Sequence, residues 1–176
     1  MPRVREPVMN GRAAASKGVE RDLIRPALAC DAGTIARLRD AAILAGCKGH
    51  YPGDLLARWT APTPVSARFV QDVCAHFHVI ERQGELLACG ALDAAASKVD
   101  AVFVAPWAMR QGLATAMLAH LEGLAREAGC TRMWLEATLN AEPFYRAQGF
   151  LALRRDQYAS PRGFTLDCVV MEKPLG

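Results

Sequence analysis

Residues 102–118, VFVAPWAMRQGLATAML, pass from an apolar β-branched run through Pro106 into Gln-Gly-Leu-Ala and straight into an amphipathic helix. A turn needed only to reverse the chain would not require this chemistry. The first N–H groups of an α-helix lack intrahelical partners, and the macrodipole makes that end positive. Gly112 and Ala114 are small, so an anion can approach the backbone there. Arg110 adds a positive charge, Gln111 adds donors and Thr115 adds a hydroxyl. The junction is therefore suited to seat a pyrophosphate. It is not a P-loop, because no Gly-Lys-Ser/Thr follows.

The flanking sequence alternates strand and helix signals. Residues 23–28 read as a short strand, and Asp31 as the N-cap of a helix to about residue 45 carrying Ile35, Leu38, Ala42 and Ala45 on one face. Gly46 and Gly49 end it. Residues 51–59 suggest a second helix, interrupted by Pro-Thr-Pro, with helical spacing resuming over residues 65–75. Gln83-Gly84 between two apolar runs signals a hairpin, and residues 98–106 add a third strand to an antiparallel meander. From Gly112 to about Ala128, Leu113, Met117, Leu121, Leu124 and Ala128 form one stripe, and Gly129 stops the helix. A strand over residues 131–138, a short helix ending near Gly149 and two closing strands follow. The order is β-α-α-β-β-β-α-β-α-β-β, with the strands on either side of the Gly112 helix parallel and joined by a right-handed crossover. The expected class is α/β, one domain over residues 22–176 behind a poorly ordered tail at residues 1–21.

Charge and composition narrow the partners. A formal charge of +3 with dispersed basic residues gives no case for nucleic acid or an anionic membrane. No stretch approaches the ~20 apolar residues of a membrane span. Cys30, Cys47, Cys74, Cys89, Cys130 and Cys168 are widely spaced and mostly in apolar runs, as expected of buried thiols in a reducing cytoplasm. His76 and His78 flank Phe77 without an acidic or cysteine partner nearby, so no metal is expected. The first twenty residues lack the hydrophobic segment of a secretory signal, and their arginines leave an organelle-targeting role as the alternative to a simple tail.

VFVAPWAMRQGLATAML, followed after one strand by LNAEPFYRAQGF, resembles the GNAT acyl-CoA N-acetyltransferases over about residues 23–175. The resemblance implies a mixed, centrally splayed sheet and acetyl-CoA as donor. The family's pyrophosphate loop reads Arg/Gln-x-x-Gly-x-Gly/Ala; Gly112 and Ala114 match it, whereas Met109 stands at the first position. It implies a cofactor cradle of Arg110, Gln111, Gly112, Leu113, Ala114 and Thr115. The main chain of Val102, Phe103 and Val104 would bind the pantetheine arm, while their side chains remain ordinary core. Asn140 corresponds to a polar residue that contacts pantetheine, and it equally suits a helix N-cap. Tyr145 corresponds to a tyrosine that protonates the departing thiolate; a phenol of pKa ~10 stays protonated at neutral pH. Glu136 resembles a catalytic glutamate of some branches, with Asp100, Asp93 and water-mediated proton removal as competitors. HYPGDLLARW resembles the opening of the second helix in a small-molecule branch, which turns Tyr51 toward the acceptor and Trp59 into the core. The implied activity is direct acetyl transfer to a primary amine, on a small molecule rather than a protein, in a cytoplasmic enzyme with room for a homodimer. The rival is a non-catalytic acyl-CoA-binding sensor or assembly module.

Overall fold

The two apolar runs around Gln83-Gly84 pair as a hairpin of β2 (Phe77–Arg82) and β3 (Glu85–Asp93). Both turn residues have positive φ, 53° and 80°, as a type I′ turn demands. In the computed structural model, which describes residues 22–176, β1 (Leu23–Pro26) pairs with the outer edge of β2 and β4 (Lys98–Val104) with β3. The tail expected over residues 1–21 lies outside the described residues. Beyond β4 come β5 (Arg132–Thr138), β7 (Thr165–Pro174) and β6 (Leu151–Ala159), giving a seven-stranded sheet of order β1-β2-β3-β4-β5-β7-β6. Among the described strands only the β4–β5 pair is parallel.

Before β2 the chain makes α1 (Ala32–Gly46), α2 (Gly53–Trp59) and α3 (Ala67–His76). The stretch read as one interrupted helix is therefore two. Pro62 and Pro64 occupy the break, and Ser66 restarts the helix by accepting a hydrogen bond from the Phe69 N–H at 3.1 Å. Asp31 does not cap α1 with its side chain. Its carboxylate accepts instead from the Leu28 N–H at 2.8 Å and from Arg25 at 2.7 Å, closing the turn ahead of the helix.

α4 (Leu113–Glu127) packs against β2, β3 and β4. It packs tightly over Gly90, where an added Cβ would lie 2.6 Å from Met117 Cγ. Gly90 pairs with His78 on β2, and His78 meets His120 of α4 with ring centroids 4.7 Å apart. His78 Nδ1 and His120 Nε2 are both buried without a hydrogen-bond partner among the described residues. Burial holds both imidazoles below the ordinary histidine value; His120 further disfavours the charge on His78, while Glu127 partly opposes the shift on His120. A depressed folded-state pKa means that the unfolded chain binds protons more readily. Stability is then full above about pH 6.5 and declines as pH falls through the folded-state values. Chemical denaturation from pH 8 to 5 should show an acid loss beginning near pH 6.5. His120→Phe, which keeps a ring but cannot be protonated, should flatten it; an unchanged acid limb would remove the pair as its origin.

Beyond α4, Gly129 takes φ +82° just after the helix end, and α5 (Glu142–Ala147) is followed by Gly149 at φ +89°.

Candidate active site

β4 and β5 touch at one register position, Lys98 opposite Trp134, with the Trp134 N–H donating to Ser97 O at 3.0 Å. Beyond that rung the strands diverge, and the β5-facing edge of β4 through Val102, Phe103 and Val104 has no partner strand among the described residues. A bulge helps to produce the divergence. Ala91 pairs with Ala101 and Leu92 with Val99, so Asp100 is the extra residue of β4. Bulges bend a strand and re-aim its side chains.

The gap opens into a cavity of about 930 Å³ lined by Val102, Phe103, Val104, Arg110, Gly112, Leu113, Ala114, Thr115, Glu136, Asn140 and Tyr145, among others. Gly112 forms one end. It is the N-cap of α4 at φ 82°, makes no side-chain cap, and has open space where a Cβ would be. The first intrahelical bond runs from the Ala116 N–H to Gly112 O at 2.9 Å, so the Leu113, Ala114 and Thr115 N–H groups have no helical acceptor. Arg110, a non-glycine residue at φ 62°, holds a strained left-handed conformation costing about 1 kcal/mol or more. Such outliers cluster where geometry serves binding. Gln111 does not line the cavity; its Oε1 accepts from Arg82 Nη1 at 3.1 Å, which commits the side chain to β2.

Strand alternation sorts the reactive groups. On β5, Met133, Leu135 and Ala137 are buried in the core cluster that contains Tyr145 and Phe150, whereas Trp134, Glu136 and Thr138 point the other way. Glu136 and Tyr145 thus reach the cavity from opposite faces of the sheet. Tyr145 packs edge-on between Phe144 and Phe150, at 5.1 and 5.6 Å, and its hydroxyl makes no hydrogen bond to the described residues. Burial raises its pKa above the usual phenol value, so the proton stays on at neutral pH. Glu136 Oε2 lies 3.0 Å from Lys98 Nζ, which also lies 3.2 Å from Asp100 Oδ1 and sits 5.0 Å over the Trp134 ring. Burial works against the Lys98 charge, but the hydrogen bond to Glu136 and the two carboxylates outweigh it and raise the pKa. Lys98 was not singled out in the sequence, although Lys98, Asp100 and Glu136 are charges in otherwise apolar strands and could have signalled it. Asp93 also lines the cavity, but its Oδ1 accepts from the Ala96 N–H at 3.1 Å.

Asn140 follows β5 and accepts from Cys47 Sγ at 3.3 Å. The N-cap position of α5 belongs to Ala141. Tyr51 is not brought to the cavity wall. It is buried, donates to Asp167 O at 2.6 Å and accepts from the Leu139 N–H at 3.0 Å, so its hydroxyl braces the turn that carries Asn140. Burial pushes its pKa up to about 12. Trp59 is buried against Tyr51, as expected, yet one side still lines the cavity. Of the cysteines at the cavity, Cys47 is pushed up to about 11 by burial and Cys168 is raised for the same reason. Among the described residues no group of three or more His, Cys, Asp or Glu is placed to hold a metal ion. His76 ends α3 at the cavity, whereas His78 turns to α4. No described helix is long and apolar enough to cross a membrane.

The same architecture recurs in known structures. A GCN5-related N-acetyltransferase from Rhodopseudomonas palustris aligns with TM-score 0.81 at 23% identity, covering 89% of this chain and 98% of its own. The PaiA N-acetyltransferase of Thermoplasma acidophilum, in complex with coenzyme A, aligns at 0.71 and 14% identity over 88% of this chain and 99% of its own. N-acetylglutamate synthase of Neisseria gonorrhoeae, complexed with coenzyme A and N-acetylglutamate, gives 0.62 at 21% identity over 89% of this chain but 35% of its own. No curated protein sequence matches the chain. At these identities the structures establish the fold. The family rests on the sequence, which matches the acetyltransferase (GNAT) family over residues 45–150, from the end of α1 to Phe150. A match over more than half of the sequence, enclosing the gap, the α4 cradle and Tyr145 alike, makes this chain a member of the GNAT acetyltransferase family.

Proposed function

We propose that this protein transfers an acetyl group from acetyl-CoA to a primary amine by direct attack within a ternary complex. The observation that carries the reading is the one-rung gap between β4 and β5, with an uncapped helix N-terminus beside it and Glu136 and Tyr145 entering from opposite faces. Acetyl-CoA, when bound, supplies an activated thioester. The free N–H groups of Leu113, Ala114 and Thr115, the open position at Gly112 and the Arg110 charge fit a pyrophosphate. The unpaired edge of β4 at Val102, Phe103 and Val104 fits the amide-bearing pantetheine arm as an added strand, and Asn140 faces it from the β5 side. Coenzyme A in complex with the T. acidophilum enzyme supports the same donor here.

An amine of pKa ~10.4 is mostly protonated and must lose a proton before it attacks. Lys98 holds Glu136 through Oε2, leaving Oε1 to take that proton, directly or through water. Asp100, on the same lysine, is the alternative acceptor. Tyr145 Oη donates its proton to the departing sulfur from the other face. Much of the rate comes from holding amine and thioester within attack distance. Raised thiol pKa values at Cys47 and Cys168 argue against an acyl-cysteine route, because the thiolate is the nucleophile. A cytoplasmic setting suits six unpaired cysteines.

Thermal shift with acetyl-CoA and with CoA should show stabilisation by both, and a thiol-release assay across amines should show amine-dependent turnover. Binding without acetyl transfer or thioester hydrolysis would favour an acyl-CoA sensor instead. Arg110→Ala should raise the acetyl-CoA Kd only about fivefold, because backbone donors supply most contacts and one solvent-screened charged contact is worth about 1 kcal/mol. Calorimetry at two salt concentrations checks this; a loss of binding altogether would mean that the guanidinium, not the backbone, holds the phosphates.

A further inference from the structure

Arg39 is the one guanidinium that α1 sends into the cavity. Its Nη1 bonds Asp40 Oδ1 at 2.8 Å, and its side chain is only 24% exposed. A guanidinium has five N–H donors, and the others on Arg39 meet no acceptor among the described residues. A cation so enclosed, with spare donors facing open space, is costly unless something completes it. Arg162 lies within electrostatic reach and adds positive field, but it does not line the cavity, and both its terminal nitrogens are tied to the chain around the α2–α3 break. Nη1 binds Trp59 O at 2.8 Å and Ala61 O at 3.1 Å, and Nη2 binds Thr63 Oγ1 at 2.8 Å. Of the two, Arg39 is therefore the one placed to make contacts inside the cavity.

Its side of the sheet is the side of Glu136. Arg39 approaches Cys89, whose partner in β4 is Phe103. Glu136 alternates in phase with Thr138, opposite Cys168, and Cys168 shares a cluster with Ile43 of α1. The wall of that cluster that reaches the cavity is apolar: Trp59, Phe103 and Leu166, with Tyr158. One compartment thus holds a carboxylate group suited to an ammonium, an apolar wall, and an arginine with free donors.

We infer that the acceptor is an amine that also carries a carboxylate, an amino acid with an apolar body, and that Arg39 binds its carboxylate. The inference rests on the acetyltransferase reading and adds the substrate class. Arginine pairs with carboxylates through two parallel N–H···O bonds, which fixes orientation as well as charge. With the acid end held at Arg39, the amine is left free to face the Glu136 side of the gap.

The test uses the full chain with acetyl-CoA and matched acceptors: phenylalanine against 2-phenylethylamine, leucine against 3-methylbutylamine, and each amino acid against its amide. Wild-type kcat/KM should be at least ~10-fold higher for the carboxylate-bearing member of a pair, the lower range for loss of one charged contact. Arg39→Gln should erase that preference mainly through KM, and Arg39→Lys, which keeps the charge without the fork, should retain part of it. Acetyl-CoA affinity of both variants, measured by calorimetry, reports that they are folded. Equal kcat/KM within pairs, or a preference that survives Arg39→Gln, overturns the inference while leaving acetyl transfer intact. If no amine is turned over, the acetyltransferase reading fails separately. Carboxylate recognition is then read by titrating phenylalanine and 2-phenylethylamine onto the CoA-loaded protein, where tighter binding of phenylalanine, lost in Arg39→Gln, supports it and equal binding overturns it.

Discussion

Tyr145→Phe should lower kcat by about 10²-fold, the low end for loss of a positioned general acid. The substitution removes a hydroxyl that has no hydrogen bond to lose and keeps the ring seated between Phe144 and Phe150, so stability should hardly change. Acetyl-CoA affinity should change little as well, because the proton is needed only as the C–S bond breaks. The buried phenol titrates above its ordinary range, so in wild type any fall in rate from its ionisation lies on the alkaline side. That limb should vanish in the variant, while a limb set by deprotonation on the acceptor side persists. Wild-type turnover in Tyr145→Phe, with chemistry rate-limiting, would reduce Tyr145 to a packing residue.

The second large effect concerns the cradle. Gly112→Asp sets a carboxylate beside the free N–H groups of α4, where the donor's own negative charge is proposed to sit. Like charges brought together cost several kcal/mol, and about 3 kcal/mol corresponds to a rise of about 100-fold in the acetyl-CoA Kd. The fold should tolerate the change. No atom lies within 4 Å of the added Cβ, and the φ of 82° is one that aspartate adopts more readily than most residues. Gly112→Ala separates the contributions, since it carries the backbone strain without the charge and should bind acetyl-CoA much better than the aspartate variant. Unchanged affinity in a folded Gly112→Asp protein would remove this loop from the site.

Some of this site could be read locally and some could not. The cradle was legible because strand, glycine turn and amphipathic helix follow one another within residues 102–118, and each leaves its own periodicity. Val102, Phe103 and Val104 look like any buried strand; nothing in their side chains announces that β4 loses its neighbour after one rung. That depends on the bulge at Asp100 and on β7 holding β5 along its length. Tyr51 faced the acceptor by resemblance alone, and its actual partners, Leu139 and Asp167, lie 88 and 116 residues away. Arg39 was missed for a related reason. Beside Arg37 on α1 it reads as one of several solvent-facing cations, and only the sheet behind it and the arrival of Tyr158 and Arg162 enclose it. The extra helix before β2 was a matter of counting, since Pro-Thr-Pro had already marked the break.

A sheet joined by one rung behaves mechanically as two plates, β1 to β4 and β5 to β7, bridged by α4 on one face and by the α1–α2 cluster on the other. Such plates can open on separate schedules, because cooperative unfolding follows contiguous contacts. A molecule that hydrogen-bonds along the bare β4 edge would supply the missing seam. Amide hydrogen exchange should then slow in β4 and β5 together on binding, although no ligand atom need touch most of β5.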